Sequence, residues 1–570
     1  MKNSKQTKKV LALVLASTMI MSITACGQTV VEDVDAKKSQ LYVANYTGGV
    51  GEEWLENVKT RFERKYAETS FEQGKKGVQI MTDSSKDYTA DYIRNTAATS
   101  NFDVYFTSGS DYFEFKALNL SKDITSLIKE KKGSDGKTIY DKMYAQDKED
   151  LLIDGKYYAI PHAEFYLGLQ YDAGVFKNNC LYFSNEFNAD GSRKFVASPN
   201  DTNKSCGPDG KTGTYDDGMP SSYEELYKVV DEMLTKDIIP FVHYGNASHY
   251  TNLMTGALMV SYLGADGANI LFDFKSDSPL EVVSGFNGDD PIMATLENIT
   301  VDNANKLTSS SALYYAVEFC EKIFSNANMY YWESAAEFSH LEAQNMFAIS
   351  GLTSKVNNIA FLIDGSYWYS EATEAGTIAD MQRDYPESSK DKDFKMMPLP
   401  IKYKGTVKEN EGRAPTLLQN SKSFAFINNN IEEKDLDLAY EFLSFCYTDD
   451  ELVAFTETTD GLLKQMDYDY SKISNLSGYA QSVLAIRSAA KEGNSFLSEL
   501  INHPIGKLFP KVFSYSGTSD LWKINTKQGT FNSCLYAFQK SAKKVTVKDA
   551  FKGMQISDDV WAKDYLIYNK

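Results

Sequence analysis

Residues 41–66 read LYVANYTGGVGEEWLENVKTRFERKY, and this stretch constrains the fold more than any other. A short apolar run ends at Tyr46. Glycines follow at 48, 49 and 51. Trp54, Val58, Phe62 and Tyr66 then recur every four residues, which places them on one face of a helix. Strand, glycine turn and amphipathic helix open an α/β unit. Neither G-x-x-x-x-G-K-[ST] nor G-x-G-x-x-G is present, so the glycines do not spell a phosphate loop.

The pattern continues along the chain. FDVYFTSGSDYF (102–113) is an apolar run ending in a small-residue turn, and LNLSKDITSLI starts a helix. KYYAIPHAEFYLGLQYDAGVF (156–176) alternates enough for one or two strands. PSSYEELYKVVDEMLTKDIIPF (220–241) is a helix with a proline before it. Ser221 or Ser222 caps it, Glu224 or Glu225 closes the box, and Leu226, Val230, Met233 and Leu234 form its apolar stripe. NIAFLIDGSYWYSEA (358–372) reads as strand, tight turn and helix start. DFKMMPLPIK (393–402) and SFAFI (423–427) are short strands. The helical segment that follows carries Leu436, Ala439, Leu443 and Cys446 on one face, and the chain beyond about Ser498 is helical with loops.

The N-terminus has a different grammar. Lys2, Lys5, Lys8 and Lys9 precede an apolar run from Val10 to about Met21, and small residues lead into Cys26. Charged, apolar, small is the layout of a secretory signal. A run of about a dozen residues is too short to span a bilayer. Ile23-Thr24-Ala25-Cys26 resembles the lipobox of bacterial lipoproteins. That resemblance implies a diacylglyceryl group on the Cys26 thiol, cleavage just before it, and residues 26–40 as a lipidated tether. An ordinary signal peptide with an incidental cysteine is the alternative.

The chain has 59 basic and 78 acidic side chains, a net charge of −19, and the leader's four lysines leave with the signal. Such a surface repels nucleic acid and anionic lipid, so membrane contact is expected through the N-terminal lipid alone. Five cysteines follow Cys26, with no C-x-x-C among them. Cys180 and Cys206 either bridge or stay free, and Cys320 and Cys446 sit in apolar helical patterns. G-x-S-x-G, H-E-x-x-H and S-x-x-K with its partners are absent. Two carboxylates suffice for a glycoside hydrolase, so that class stays open. The 37 Tyr and 32 Phe suit a ligand with apolar faces and hydroxyl edges.

The order of these segments is similar to that of extracellular solute-binding proteins of the maltose-binding type (family 1), the lipoprotein receptors of carbohydrate ABC importers. The lipobox, the first strand-turn-helix, FDVYF, YYAIP…LQYD, PSSYEEL, LIDGSYW, MPLP, SFAFI…AYEFLSFCYTDDE and the C-terminal FNSCLYAFQKSAKKVTVKDAF carry the likeness. It implies an α/β, two-lobed periplasmic-binding-protein-like fold of type II, with discontinuous lobes joined by a hinge and ligand in the cleft. The implied division is a signal at 1–25, a tether at 26–40, one lobe from 41–165 plus 400–490, and the other from 166–399 plus 491–570. Segments 131–150, 184–219, 265–310 and 373–412 are expected insertions. The implied partners are an oligosaccharide and the ABC permease subunits, for a monomeric, non-enzymatic protein needing no cofactor at the extracellular face of the membrane. A peptide receptor is the other binding alternative.

The resemblance puts an aromatic just after the glycine of DGSYW at the cleft wall, where Tyr367 and Trp368 stand. Trp368 either stacks on ligand or packs in the core, and Asp364 either accepts from a hydroxyl or caps the next helix. Asp111 leaves a strand where α/β lobes bind ligands. His162, Glu164 and Tyr166 share one face of a strand crossing toward the second lobe. Tyr46, Tyr331, Trp332 and Trp522 complete the candidates. In DTNKSCGPDGKTGTYDD, Asp201, Asn203, Asp209, Asp216 and Asp217 resemble a calcium loop in spacing style but fail its consensus, so a structural Ca2+ and a solvated turn are both open.

Overall fold

The computed structural model describes residues 34–108, 112–245, 249–268, 270, 276, 278–335, 338–410, 413–492, 496–498, 522–541 and 543–565. Cys26 and Asp111 lie outside the described residues. β1 (Ser39–Tyr46) and α1 (Glu53–Lys65) form as the spacing predicts, with Trp54, Val58 and Phe62 buried. β2 (Val78–Ser85) and β3 (Val104–Ser108) lie parallel to β1. β4 (Ile160–Asp172) is one unbroken strand rather than two, and all of it is buried. A strand covered on both faces has no solvent side to impose alternation, which is why its sequence left the number of strands open.

In the second lobe, after a short helix (Ala173–Asn178) and a hairpin, come α2 (Tyr223–Thr235) and β5 (Ile239–His243). Ser222 Oγ accepts from Glu225 N, while the Glu225 carboxylate accepts from Ser221 N, so the expected box is shared between two serines. α3 (His249–Ala268), kinked at Gly264, and α4 (Ser311–Phe324) follow. Then come α5 (His340–Ile349), β6 (Ile359–Gly365), α6 (Trp368–Glu374) and β7 (Phe394–Met397). β8 (Leu417–Ile427) returns to the first lobe, where α7 (Glu433–Cys446) and α8 (Asp449–Thr458) pack. α9 (Gly478–Glu492), β9 (Phe496–Ser498), α10 (Cys534–Phe538) and α11 (Val547–Met554) complete the order.

The strands run β2-β1-β3-β8-β4-β6-β5, with β7 on β4 and β9 on β8. Two strands belong to both halves of this order. β4 pairs with β8 through residues 160–166 and with β6 and β7 through 167–172. Its side chains change cores within a few residues: Phe165 belongs to the first lobe's core and Leu167 to the second's. β8 does the same, with Leu418 in the second core and Phe424 in the first. β4 and β8 are therefore the strands about which the lobes can turn.

The lobe boundaries differ from expectation. Ile401, Tyr403 and Val407 pack with Phe187 of the second lobe, and Ile401 bridges to Ser222. α9 places Tyr479, Val483 and Ile486 against Trp368, Phe347 and Phe394 on the other face of the second-lobe sheet. The first lobe's returning core runs from Phe424 to Tyr468 rather than over 400–490, because the crossing is made by β8 itself. Expected insertions form local pieces, including hairpins at Phe183–Phe187 with Arg193–Phe195 and Leu280–Asn287 with Asp290–Leu296. Cys180 and Cys206 do not form a disulfide, and Cys320 and Cys446 are buried. Among the described residues no helix is long and apolar enough to cross a membrane.

Candidate ligand cleft

The first-lobe wall is the end of β1. Tyr46 is half-buried, and the turn after it meets the second lobe at Gly49, where φ is +75°. A Cβ at Gly49 would stand 2.9 Å from Tyr367 Cβ, so only glycine lets the two lobes approach here. Burial raises the Tyr46 hydroxyl's pKa, a hydrogen bond with Ser108 opposes that, and the charge of Glu371 adds to it.

The second-lobe wall is the end of β6. Tyr367 is the N-cap residue of α6, and its ring folds back over Gly365, where a Cβ would collide with it. The Tyr367 ring lies 5.7 Å from Phe165 and 6.4 Å from Tyr250, centroid to centroid and steeply inclined to both. Tyr250 continues to Tyr244 at 5.6 Å, and Tyr244 to His340 at 5.8 Å. Tyr331 lies beside β5, donating its N–H to Phe241 O and packing on Phe338, whose carbonyl accepts from Gly245 N, and Trp332 comes next in the chain. Trp332 is 68% exposed and offers a bare indole face. A chain of aromatic rings thus runs from Phe165 of the first lobe through Tyr367, Tyr250 and Tyr244 to His340 of the second.

Beneath Tyr367 lies a polar cluster. Gln344 Nε2, from α5, donates to Asp364 Oδ2 at 3.1 Å and to Glu371 Oε2 at 3.0 Å. Asp364 Oδ1 accepts from Gly365 N at 2.7 Å, so it binds its own turn rather than capping α6. Burial, then the neighbouring Glu371 charge, raises the Asp364 pKa well above the carboxylate range. Burial raises Tyr367 and Tyr250 too, and the Asp364 charge pushes the same way. These phenols stay neutral. Beside this cluster a cavity of about 340 Å³ separates Val50–Trp54 of the first lobe from Ser370, Thr373 and Glu374 of the second.

The other sequence-selected residues lie elsewhere. Trp368 is fully enclosed by Phe347, Phe394, Tyr369 and Tyr479, so it packs the core and presents no face to the cleft. Tyr166 is buried in the same cluster, and Trp522 in the main second-lobe core. His162 is buried among Trp54, Phe106 and Phe455, with Lys464 Nζ 2.7 Å from its Nδ1. Glu164 is buried in an ion pair with Arg487. The strand face that groups 162, 164 and 166 points into protein on both sides because β4 is interior throughout.

The Asp-rich loop satisfies its own amides. Asp201 accepts from Ala197 N and Asn203 N, Asp216 from Asp209 N and the Thr214 hydroxyl, and Asp217 from Gly213 N and Thr214 N. Asp209 accepts from Lys211 N. Burial and the Asp209 charge push Asp216 to about 7. Among the described residues no three His, Cys, Asp or Glu side chains group so as to hold a metal ion.

Phe165, Tyr250, Gln344 and Glu371 were not singled out from the sequence. Ser339 and Glu342 do form a capping box that marks the helix carrying Gln344, but nothing local marks its function.

The two-lobed α/β architecture is shared with solved binding proteins. A chitin oligosaccharide binding protein superposes with a TM-score of 0.53 at 15% identity, covering 92% of this chain and 98% of its own. A cyclic alpha-maltosyl-1,6-maltose binding protein from Arthrobacter globiformis gives 0.52 at 12%, covering 92% and 100%. The GacH receptor of Streptomyces glaucescens, solved unliganded and with acarbose, gives 0.52 at 13%, covering 93% and 99%. No family profile matches the chain, and no curated protein matches it in sequence.

Proposed function

We propose that the chain binds a carbohydrate, an oligosaccharide in our reading, in the cleft between its lobes, without hydrolysing it. Under this proposal it is the substrate-binding lipoprotein of an ABC importer, acylated at Cys26 and held at the extracellular face of the cell membrane as a monomer. Closure about β4 and β8 would trap the sugar, and the permease subunits would receive it. No cofactor enters this reading, and the loop 201–217 serves as a solvated turn. The observation that carries the proposal is the pair of partly open rings, Tyr46 and Tyr367, at the lobe junction, backed by the buried rings of Phe165 and Tyr250, with the exposed Trp332 on the second lobe. Rings of this kind take the C–H faces of a pyranose while the buried polar groups beneath them select hydroxyls. The solved sugar-binding proteins of the same fold support it.

The test is intrinsic tryptophan fluorescence of the chain from residue 27, titrated with an oligosaccharide panel and assayed for released sugar. Saturable binding without product is the expected result. Product release would make the protein a glycoside hydrolase. Silence across the panel, with no change in radius of gyration by scattering, would remove the carbohydrate assignment and turn attention to peptides.

A further inference from the structure

Asp364 and Glu371 share a single amide nitrogen, that of Gln344, and neither forms an ion pair with any described Lys, Arg or His. Lys86 acts on the neighbouring Glu374 instead. Because Gln344 must turn its nitrogen to the carboxylates, its Oε1 is left as a third acceptor. That oxygen is fully buried and has no hydrogen-bond partner among the described residues. Tyr250 and Tyr367 pack on one another at 6.4 Å, and the charge of Glu371 acts on both and on Tyr46.

With Asp364 held neutral by burial, the Glu371 charge and the unpartnered Gln344 Oε1 give this cluster acceptors and one uncompensated negative charge beside neutral phenol rings. A metal ion demands several oxygen ligands at short range, and no grouping of three metal-ligating side chains exists here. An ammonium asks for less: an acceptor for each N–H and aromatic faces for its charge.

We propose that the ligand bound in this cleft carries a protonated amine, seated between Asp364, Glu371 and Gln344 Oε1 and walled by Tyr46, Tyr250 and Tyr367. The proposal rests on the carbohydrate reading above and narrows it to an amino sugar with a free amine. The Glu371 charge discriminates against the hydroxyl and acetamido counterparts, because each would leave that charge uncompensated in a buried setting.

The test compares ligands that differ only at carbon 2. Isothermal titration at pH 5.5 would use glucosamine and its β-1,4 tetramer against glucose and cellotetraose, and against the N-acetylated tetramer. The amine-bearing member of each set should bind at least tenfold tighter. That margin should shrink with added salt and collapse in Glu371→Gln. Equal or weaker binding of the amines overturns the charge assignment and leaves the sugar reading standing. Binding by no member of any set overturns both. The comparison within the wild-type chain decides the matter even where the variant fails to fold.

Discussion

Arg487 Nε donates to Glu164 Oε2 across 3.0 Å, tying α9 of the second lobe to the crossing strand β4 with both side chains essentially dry. Burial alone would discharge either partner. Burial pulls Arg487 down, but the Glu164 charge and the hydroxyls of Tyr144 and Tyr470 outweigh it and hold the guanidinium charged. The pair sits beside the point where β4 changes lobes, so it braces that crossing.

Removing one partner strands the other. Arg487→Met should cost about 3–5 kcal/mol in urea unfolding, because Glu164 is left as a buried, unpaired carboxylate. Arg487→Met combined with Glu164→Gln should recover much of that loss. An equal loss in the single and double variants would show that the packing of Arg487, not its charge, holds the hinge.

Adjacent residues 367 and 368 should fail in opposite ways. Tyr367 stays partly open at the lobe junction and Trp368 is sealed in the core. Tyr367→Ala should weaken oligosaccharide binding about ten- to hundredfold, the loss of one buried aromatic face of about 1.5–3 kcal/mol, with little change in unfolding midpoint. Trp368→Ala should cost about 3–5 kcal/mol of stability. Trp332→Ala should resemble Tyr367→Ala, since an exposed ring supports no core. Paired calorimetry and denaturant titration separate the two effects. Equal binding by wild type and Tyr367→Ala would remove Tyr367 from the site.

That pair also shows how far the sequence could be read. The periodic segments were legible: β1, α1, α2 and the β6 turn lie where spacing and capping put them. Which member of Tyr367-Trp368 stays partly open and which is sealed was not. The helix starts between them, and successive helical residues point about 100° apart, so one residue of phase decides cleft or core. The His162, Glu164 and Tyr166 face was misleading for a related reason. Period-2 logic finds one face of a strand, but β4 has protein on both. Lys464 meets His162 across 302 positions of sequence, and Gln344 meets Glu371 only through the fold. Such pairings carry no local signal.

The leader yields a separate prediction. If Cys26 is acylated, cells fed radiolabelled palmitate should incorporate label into the wild-type chain, and Cys26→Ser should abolish it and release the protein to the medium. Retained label in Cys26→Ser would place the lipid elsewhere.

Lys464 supplies the pH dependence. Its ammonium lies within 4.5–5.5 Å of the rings of Trp54, Phe106, Tyr447 and Phe455 and donates to His162 Nδ1. Burial drags its pKa from 10.5 to about 7, against the opposing pull of Cys446 and of Glu451, which is itself paired with Arg61. Burial and then the Lys464 charge hold His162 well below 6.5. Between pH 7 and about 10 the unfolded chain binds a proton at Lys464 that the folded chain does not. Stability should therefore rise with pH across that window, by up to about 1.4 kcal/mol per unit from this group. His162 works in the same sense at the acid end, losing stability as pH falls through 6.5, where the unfolded ring protonates and the buried one does not. Lys464→Met keeps the aromatic packing and removes the amine, so its urea midpoint should vary less between pH 7 and 9 than that of the wild type. The two curves should converge toward high pH. Parallel curves would mean that Lys464 keeps its charge inside the cage, stabilised by the four rings rather than discharged by burial.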